Sequence, residues 1–340
     1  MLAQLNLGDG QNLGTADGRI ALDCSVRKTR QGHYVISTTD FFFPLVDSPY
    51  LQGRIGAANV LSDLYAEGVA SCDFVLMLLA ACRDMPEDQR TICTQEMVRG
   101  FRDACTDADT CITGGQTVLN PWPIIGGVAT SVVAEGEFVP SDGAQVGNVV
   151  VLTKPLGTQI AVNVHQWRRH HHQQNQNQNN NNNNKFWKKC IDQNIVTDDQ
   201  AEEMMHQAVC SMARLNKNGG SIMVKHKACA ATDVTGFGIL GHAQNLVENQ
   251  KEKVGIELHT LPLIAGTKQV NDKVLNFQLT TGYSAETSGG LMICMPKETA
   301  QAYMEELKDL DGTDSWIIGN VIADEKQQAR ILEDVKYLEV

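Results

Sequence analysis

The stretch GRIGAANVLSDLYAEGV, Gly53 to Val69, decides the reading of the fold. It reads as a helix over 53–67 packed with small residues at Gly56, Ala57 and Ala58. Immediately upstream, Tyr34 to Thr39 reads as a strand. Downstream, Phe74 to Ala80 is an apolar run of strand length, followed by a polar-faced helix candidate from Glu87 to about Ala108. Ile124 to Ala134, rich in Val, Ile and Gly, reads as another buried strand. Strands alternating with helices imply a mixed α/β or α+β core.

Working outward, turn formers cluster between Glu135 and Gly147, where Pro140, Asp142, Gly143 and Gly147 mark a domain boundary. A second unit starts at Val149 to Thr153. It has helix candidates at Asp198–Asn216 and Phe237–Glu248, and strands near Ile256, at Leu291–Cys294 and at Trp316–Val321. At 340 residues the chain exceeds the usual size of a single core, so two domains are expected, over 20–140 and 147–340, after a short leader at 1–19. Between Trp167 and Trp187 runs a tract of Arg, His, Gln and Asn that includes Asn179 to Asn184. It holds too little apolar area to offset the entropy of ordering it, so a mobile surface insert is expected at about 168–186. Metal binding by His170, His171 and His172 is the alternative for that tract.

Composition excludes some classes of function. A net charge of −12 argues against a nucleic-acid groove, whose affinity comes from clustered Lys and Arg. It leaves ATP open, because bound Mg²⁺ can meet the nucleotide's charge. No basic residue precedes Arg19, and the longest strongly apolar run, Phe74 to Cys82, is too short to span a bilayer or to follow a signal-peptide pattern. The expectation is therefore a cytoplasmic chain with no membrane partner. None of the ten cysteines forms a CxxC pair, which predicts reduced, mostly buried thiols rather than structural zinc.

Asp23, Asp63 and Asp233 each sit where a strand or loop meets Gly, Ser or Thr. Mg²⁺ takes oxygen ligands and is commonly held by one or two carboxylates together with substrate phosphates. Aspartates are also common in turns and at helix N-caps, and spacing alone does not separate these roles. The same holds for Gly114 and Gly115: a tight turn is one reading, a backbone able to approach phosphate oxygens the other.

The surrounding segments decide between them: TTDFFFPLVDSPY from Thr38, GRIGAANVLSDLYAEGV from Gly53, TGGQTVLNPW from Thr113, VLTKPLGTQIAVNVHQW from Val151, ATDVTGFGILGHAQNL from Ala231 and ETSGGLMICMP from Glu286. In this order, from about Asp17 to the C-terminus, the chain resembles the selenophosphate synthetase family, in its eukaryotic branch. The resemblance implies an α+β, two-domain fold like that of aminoimidazole ribonucleotide synthetase, and a homodimer whose first domains pair sheets into a barrel. It implies Mg²⁺ at Asp23, Asp63 and Asp233, and ATP contacts at Leu22, Asp23, Asp40, Asp63 and the loop Gly114, Gly115, Gln116 and Thr117. It implies a dikinase reaction in which ATP, selenide and water give selenophosphate, orthophosphate and AMP.

The family's mobile N-terminal segment carries a Cys or selenocysteine and, close behind, a Lys. Here the first cysteine is Cys24 and the first lysine Lys28, both beyond Asp23, and Leu2 to Gly18 offers neither. Two expectations follow: an enzyme whose start is missing from this chain, or a nucleotide-binding paralogue with a regulatory role. Cys24 itself reads as a core cysteine at a strand end.

Overall fold

The structure, a computed structural model, describes residues 23–43, 45–174 and 183–340. The leader at 1–19 and Leu22 lie outside the described residues.

The first half builds β1 (Ser25–Lys28), β2 (Tyr34–Phe42), α1 (Pro49–Ala66), β3 (Phe74–Cys82), α2 (Glu87–Asp107), β4 (Ile112–Asn120) and β5 (Ile124–Val133). The strands form one sheet in the order β1-β2-β5-β3-β4, antiparallel except for the β3–β4 pair at its edge. Helix α1 begins where Ser48 accepts a hydrogen bond from the Leu51 amide and Pro49 opens the first turn, a start that needs no amide hydrogen from the proline. It packs against α2 at very short range. A Cβ on Gly53 would fall 2.0 Å from Met97 O, and one on Gly100 1.9 Å from Tyr50 O, so a glycine on each helix sets the crossing.

The second half contributes β6 (Asn148–Leu152), α3 (Thr158–Gln174), α4 (Asn183–Asp192), α5 (Asp198–Ala213), α6 (Lys217–Ser221), β7 (Ala230–Asp233), α7 (Gly238–Glu248), β8 (Val254–Leu263), α8 (Thr267–Lys273), β9 (Leu291–Pro296), α9 (Lys297–Asp311), β10 (Trp316–Ala323) and β11 (Ala329–Glu339). Its sheet runs β11-β8-β10-β6-β9-β7. Side chains of β6 and β9 alternate between two cores. Val150, Leu152, Met292 and Cys294 join one with α3, α5 and α7, while Val149, Val151, Ile293 and Met295 join another with α9 and with Tyr65 and Ala66 of α1. Burial on both faces explains why VVVL and LMICM are unbroken apolar runs. Helix α1 thus lies between the two sheets, and its residues see both.

The tract beyond Trp167 departs from expectation. Helix α3 continues through Arg168, Arg169 and His170–His172, and α4 resumes at Asn183, leaving 175–182 outside the described residues. Trp167 and Trp187 are both buried, and the Trp167 ring stacks on Phe186 at 4.8 Å and on Phe277 at 5.9 Å. Apolar anchors at either end hold the flanks helical, which a composition count of the intervening polar residues misses. Arg168 pairs with Asp198 at 2.6 Å and Glu202 at 2.7 Å, and His172 lies 3.0 Å from Asp198. These side chains decorate the α3–α5 surface. Among the described residues, no His of this tract belongs to a group of three side chains placed to share a metal ion. No described helix is long and apolar enough to cross a membrane.

Candidate metal centre

Three segments far apart in sequence meet beside α1. Asp23 stands two residues before Ser25, whose partner Ser37 lies on β2, so the strand pairing brings Asp23 to the end of β2 that carries Thr38 and Asp40. Asp63 is on α1, and Asp233 is the last residue of β7. Each offers a carboxylate oxygen within 4.8 Å of the others.

Hydroxyls orient these groups without saturating them. Thr232 donates to Asp23 Oδ1 at 3.0 Å, and Thr38 donates to Asp63 Oδ2. Asp23 Oδ2 and Asp233 Oδ2 are buried with no hydrogen-bond partner among the described residues. Burial, then the Asp233 and Glu67 carboxylates, push Asp23 well above the usual carboxylate range, while Thr232 pulls it down. Burial, then Asp233 and Asp23, do the same to Asp63. Burial pushes Asp233 up to about 6, against a lowering by Ser62 and Lys154. Burial and Asp142 also push nearby Glu67 up to about 8. Like charges this close in a dry site are held only by protons or by a cation, and the donor set is all oxygen, which suits a hard divalent ion.

Sequence comparison gives this centre a context. Residues 21–133 match the N-terminal domain of AIR synthase related protein, and residues 145–331 match its C-terminal domain. The chain is 46% identical over 345 residues to a selenide, water dikinase of Trypanosoma brucei brucei (strain 927/4 GUTat10.1), covering 97% of this chain and 84% of that protein. It is 46% identical over 335 residues to a selenide, water dikinase of Dictyostelium discoideum, covering 96% and 88%. The chain belongs to the selenide, water dikinase (selenophosphate synthetase) family.

The fold agrees. Hydrogenase maturation protein HypE in complex with ATP aligns with a TM-score of 0.63 at 15% identity, covering 87% of this chain and 81% of that one. The dikinase-family chain therefore has the two-domain α+β architecture of AIR synthase related proteins.

Not every expected position joins the centre. Asp40 does: Asn59 donates to its carboxylate, and its charge is felt at Asp63 and Asp233. Gly114, Gly115, Gln116 and Thr117 do not. They form neither a loop nor a turn but the middle of β4, exposed at the sheet edge, with β3 and β5 standing between them and β2. The glycine pair has a local cause. The β3–β4 register slips between Val75 and Leu76, and Gly115 adopts φ +147° with its Cα so close that a Cβ would meet Met77 O at 1.9 Å.

All ten cysteines are free thiols. Cys24 is buried in the core, and burial together with Asp63, Glu67, Asp23 and Asp233 pushes its thiol well up, so it stays protonated.

Sequence reasoning missed Thr38, Asn59, Ser62 and Thr232, the groups that orient the carboxylates. The signal was present on α1. Asn59, Ser62 and Asp63 stand at i, i+3 and i+4 within the largely apolar run from Ile55 to Ala66, and so form one polar stripe.

Proposed function

We propose that this chain is a selenophosphate-forming dikinase, converting ATP, selenide and water into selenophosphate, orthophosphate and AMP. The observation that carries this is the convergence of Asp23, Asp63 and Asp233, with buried oxygens left over for a ligand, in a chain of the dikinase family. The three carboxylates hold Mg²⁺. Bound there, Mg²⁺ neutralises nucleotide phosphate charge, the dominant requirement of phosphoryl transfer. Thr38 and Thr232 fix the direction of the carboxylate lone pairs, and Asn59 holds Asp40 facing the same space.

A second copy of the chain completes the nucleotide site. Within one chain Gly114–Thr117 lie on an exposed edge, beside a largely exposed apolar surface that includes Phe41, Val118, Leu119 and Trp122. A homodimer that buries this surface brings one copy's β4 towards the other's Asp40, and supplies the positions that a single chain leaves apart.

Calorimetry with Mg-ATP tests the site. Saturable binding is expected, lost in Asp63→Ala and kept in Asp73→Ala; no binding at millimolar nucleotide overturns it. Selenide-dependent release of AMP from ATP tests the reaction.

A further inference from the structure

Lys154 is among the largest fully buried side chains, at 1% exposure, and it makes no hydrogen bond to the aspartates of the centre, whose Asp233 feels only its charge. Burial and the Arg214 guanidinium hold its ammonium well below the usual lysine range, with Asp233 and Asp311 acting the other way. A buried amino group is costly to keep unless its hydrogen bonds are satisfied. Both of its hydrogen bonds run to main-chain oxygens rather than to a carboxylate: Arg214 O at 2.7 Å and Ser288 O at 2.9 Å.

Ser288 lies in the turn Glu286-Thr-Ser-Gly-Gly290, at φ +47°. The turn backs directly onto the end of β7. Val234 N–H donates to Gly290 O at 2.9 Å, and a Cβ on Gly289 would fall 2.0 Å from Val234 O. Its other side reaches α1. Ser288 N–H donates to Asn59 Oδ1 at 3.0 Å, and Asn59 in turn donates to Asp40. Asn216 donates to both Gly289 O and Ser62 Oγ at 2.8 Å. The turn is thus the piece through which the second half, carrying Asp233, is registered against α1, carrying Asp63, and Lys154 grips it from behind.

We propose that Lys154 is a positioning residue for the metal centre: by holding Ser288 O it fixes the turn that sets Asp233, at the end of β7, at chelating distance from Asp63 on α1 and from Asp23 just before β1. Lys154 acts in this way only if the three aspartates hold a divalent ion. Removing its ammonium lets the turn relax away from α1. The carboxylates then keep their identities but lose their spacing, and the effect falls on metal affinity rather than on the fold.

The test is Mn²⁺ binding, followed by electron paramagnetic resonance on the full chain, with thermal unfolding alongside. Wild type is expected to bind Mn²⁺. Lys154→Met is expected to fold with a melting temperature within a few degrees of wild type and to bind Mn²⁺ about tenfold more weakly, the lower end of what loss of a supporting contact costs a metal site. Combining it with Asn59→Ser, which breaks the same path from the α1 side, should weaken binding by less than the product of the two single effects. A folded Lys154→Met with wild-type Mn²⁺ affinity overturns the proposal, and so does strict additivity. If Lys154→Met does not fold, Asn59→Ser alone decides: a drop of about tenfold supports the path, unchanged affinity overturns it. Failure of wild type to bind Mn²⁺ overturns the metal reading itself, a separate result.

Discussion

The acidic centre and the β4 edge both carry family motifs, yet folding treats them in opposite ways. Asp23, Asp63 and Asp233 come from three distant segments, and one chain gathers a carboxylate oxygen of each to within 4.8 Å of the others. Gly114–Thr117 are contiguous in sequence, and one chain leaves them exposed, with two strands between them and β2. The first region crowds carboxylates whose charge is relieved by protons or by a cation. The second carries exposed apolar side chains along a strand at the sheet edge. A single fold can therefore gather distant acidic residues while leaving a contiguous motif at its edge.

The widest gap between the two regions should show in nucleotide binding. Asp233→Ala is expected to lower metal-dependent ATP affinity by about 1,000-fold, about 4 kcal/mol. Loss of no more than about threefold in calorimetry would mean that the centre is not where charge is handled. At the edge, Gly115→Val forces a side chain onto Met77 O at positive φ, and should cost about 2–4 kcal/mol in denaturant unfolding. A cost near zero would show that the β3–β4 slip is not fixed.

The pH response separates the regions by sign. Asp233, Glu286 and Glu67 are pushed up to about 6, 7 and 8, and Asp23 and Asp63 are also raised. The folded state therefore binds more protons than the unfolded chain. Stability from these groups is full below the ordinary carboxylate range, and is lost as pH rises through the folded values. Without divalent cation the melting temperature should fall between pH 5 and pH 8, and Mg²⁺ should raise it more at pH 8 than at pH 5.5. A melting curve indifferent to pH and Mg²⁺ would count against the crowded carboxylates. The smallest effect on stability belongs to the edge surface: Leu119→Asp should change unfolding by less than about 0.5 kcal/mol. If copies pair along this face, the same change should move the sedimenting species from dimer to monomer.

Much of this was legible in the sequence, for reasons that differ by element. Helix α1 announced itself by its small residues, and β6 and β9 by unbroken apolar runs. The aspartates stood out through the segments around them rather than through spacing, because nothing local in Asp23 or Asp233 says which other carboxylate it will meet. The glycine pair was legible as special but not as strand: Gly114 and Gly115 sit at a register slip between β3 and β4, which depends on a neighbouring strand that the local sequence does not name. The Trp167–Trp187 tract misled because its polar composition outweighed two tryptophans that the core holds at 3% and 1% exposure. Lys154 was hidden in plain sight within VLTKPLG, because a lysine's burial is decided by the turn that folds over it.

Crystals soaked in Mn²⁺ and measured for anomalous scattering bear most directly on the acidic centre. A peak at about 2.1 Å from oxygens of Asp23, Asp63 and Asp233 together is the expected result. A peak held by other residues, or none at all with the three carboxylates ordered and ionised, would contradict it.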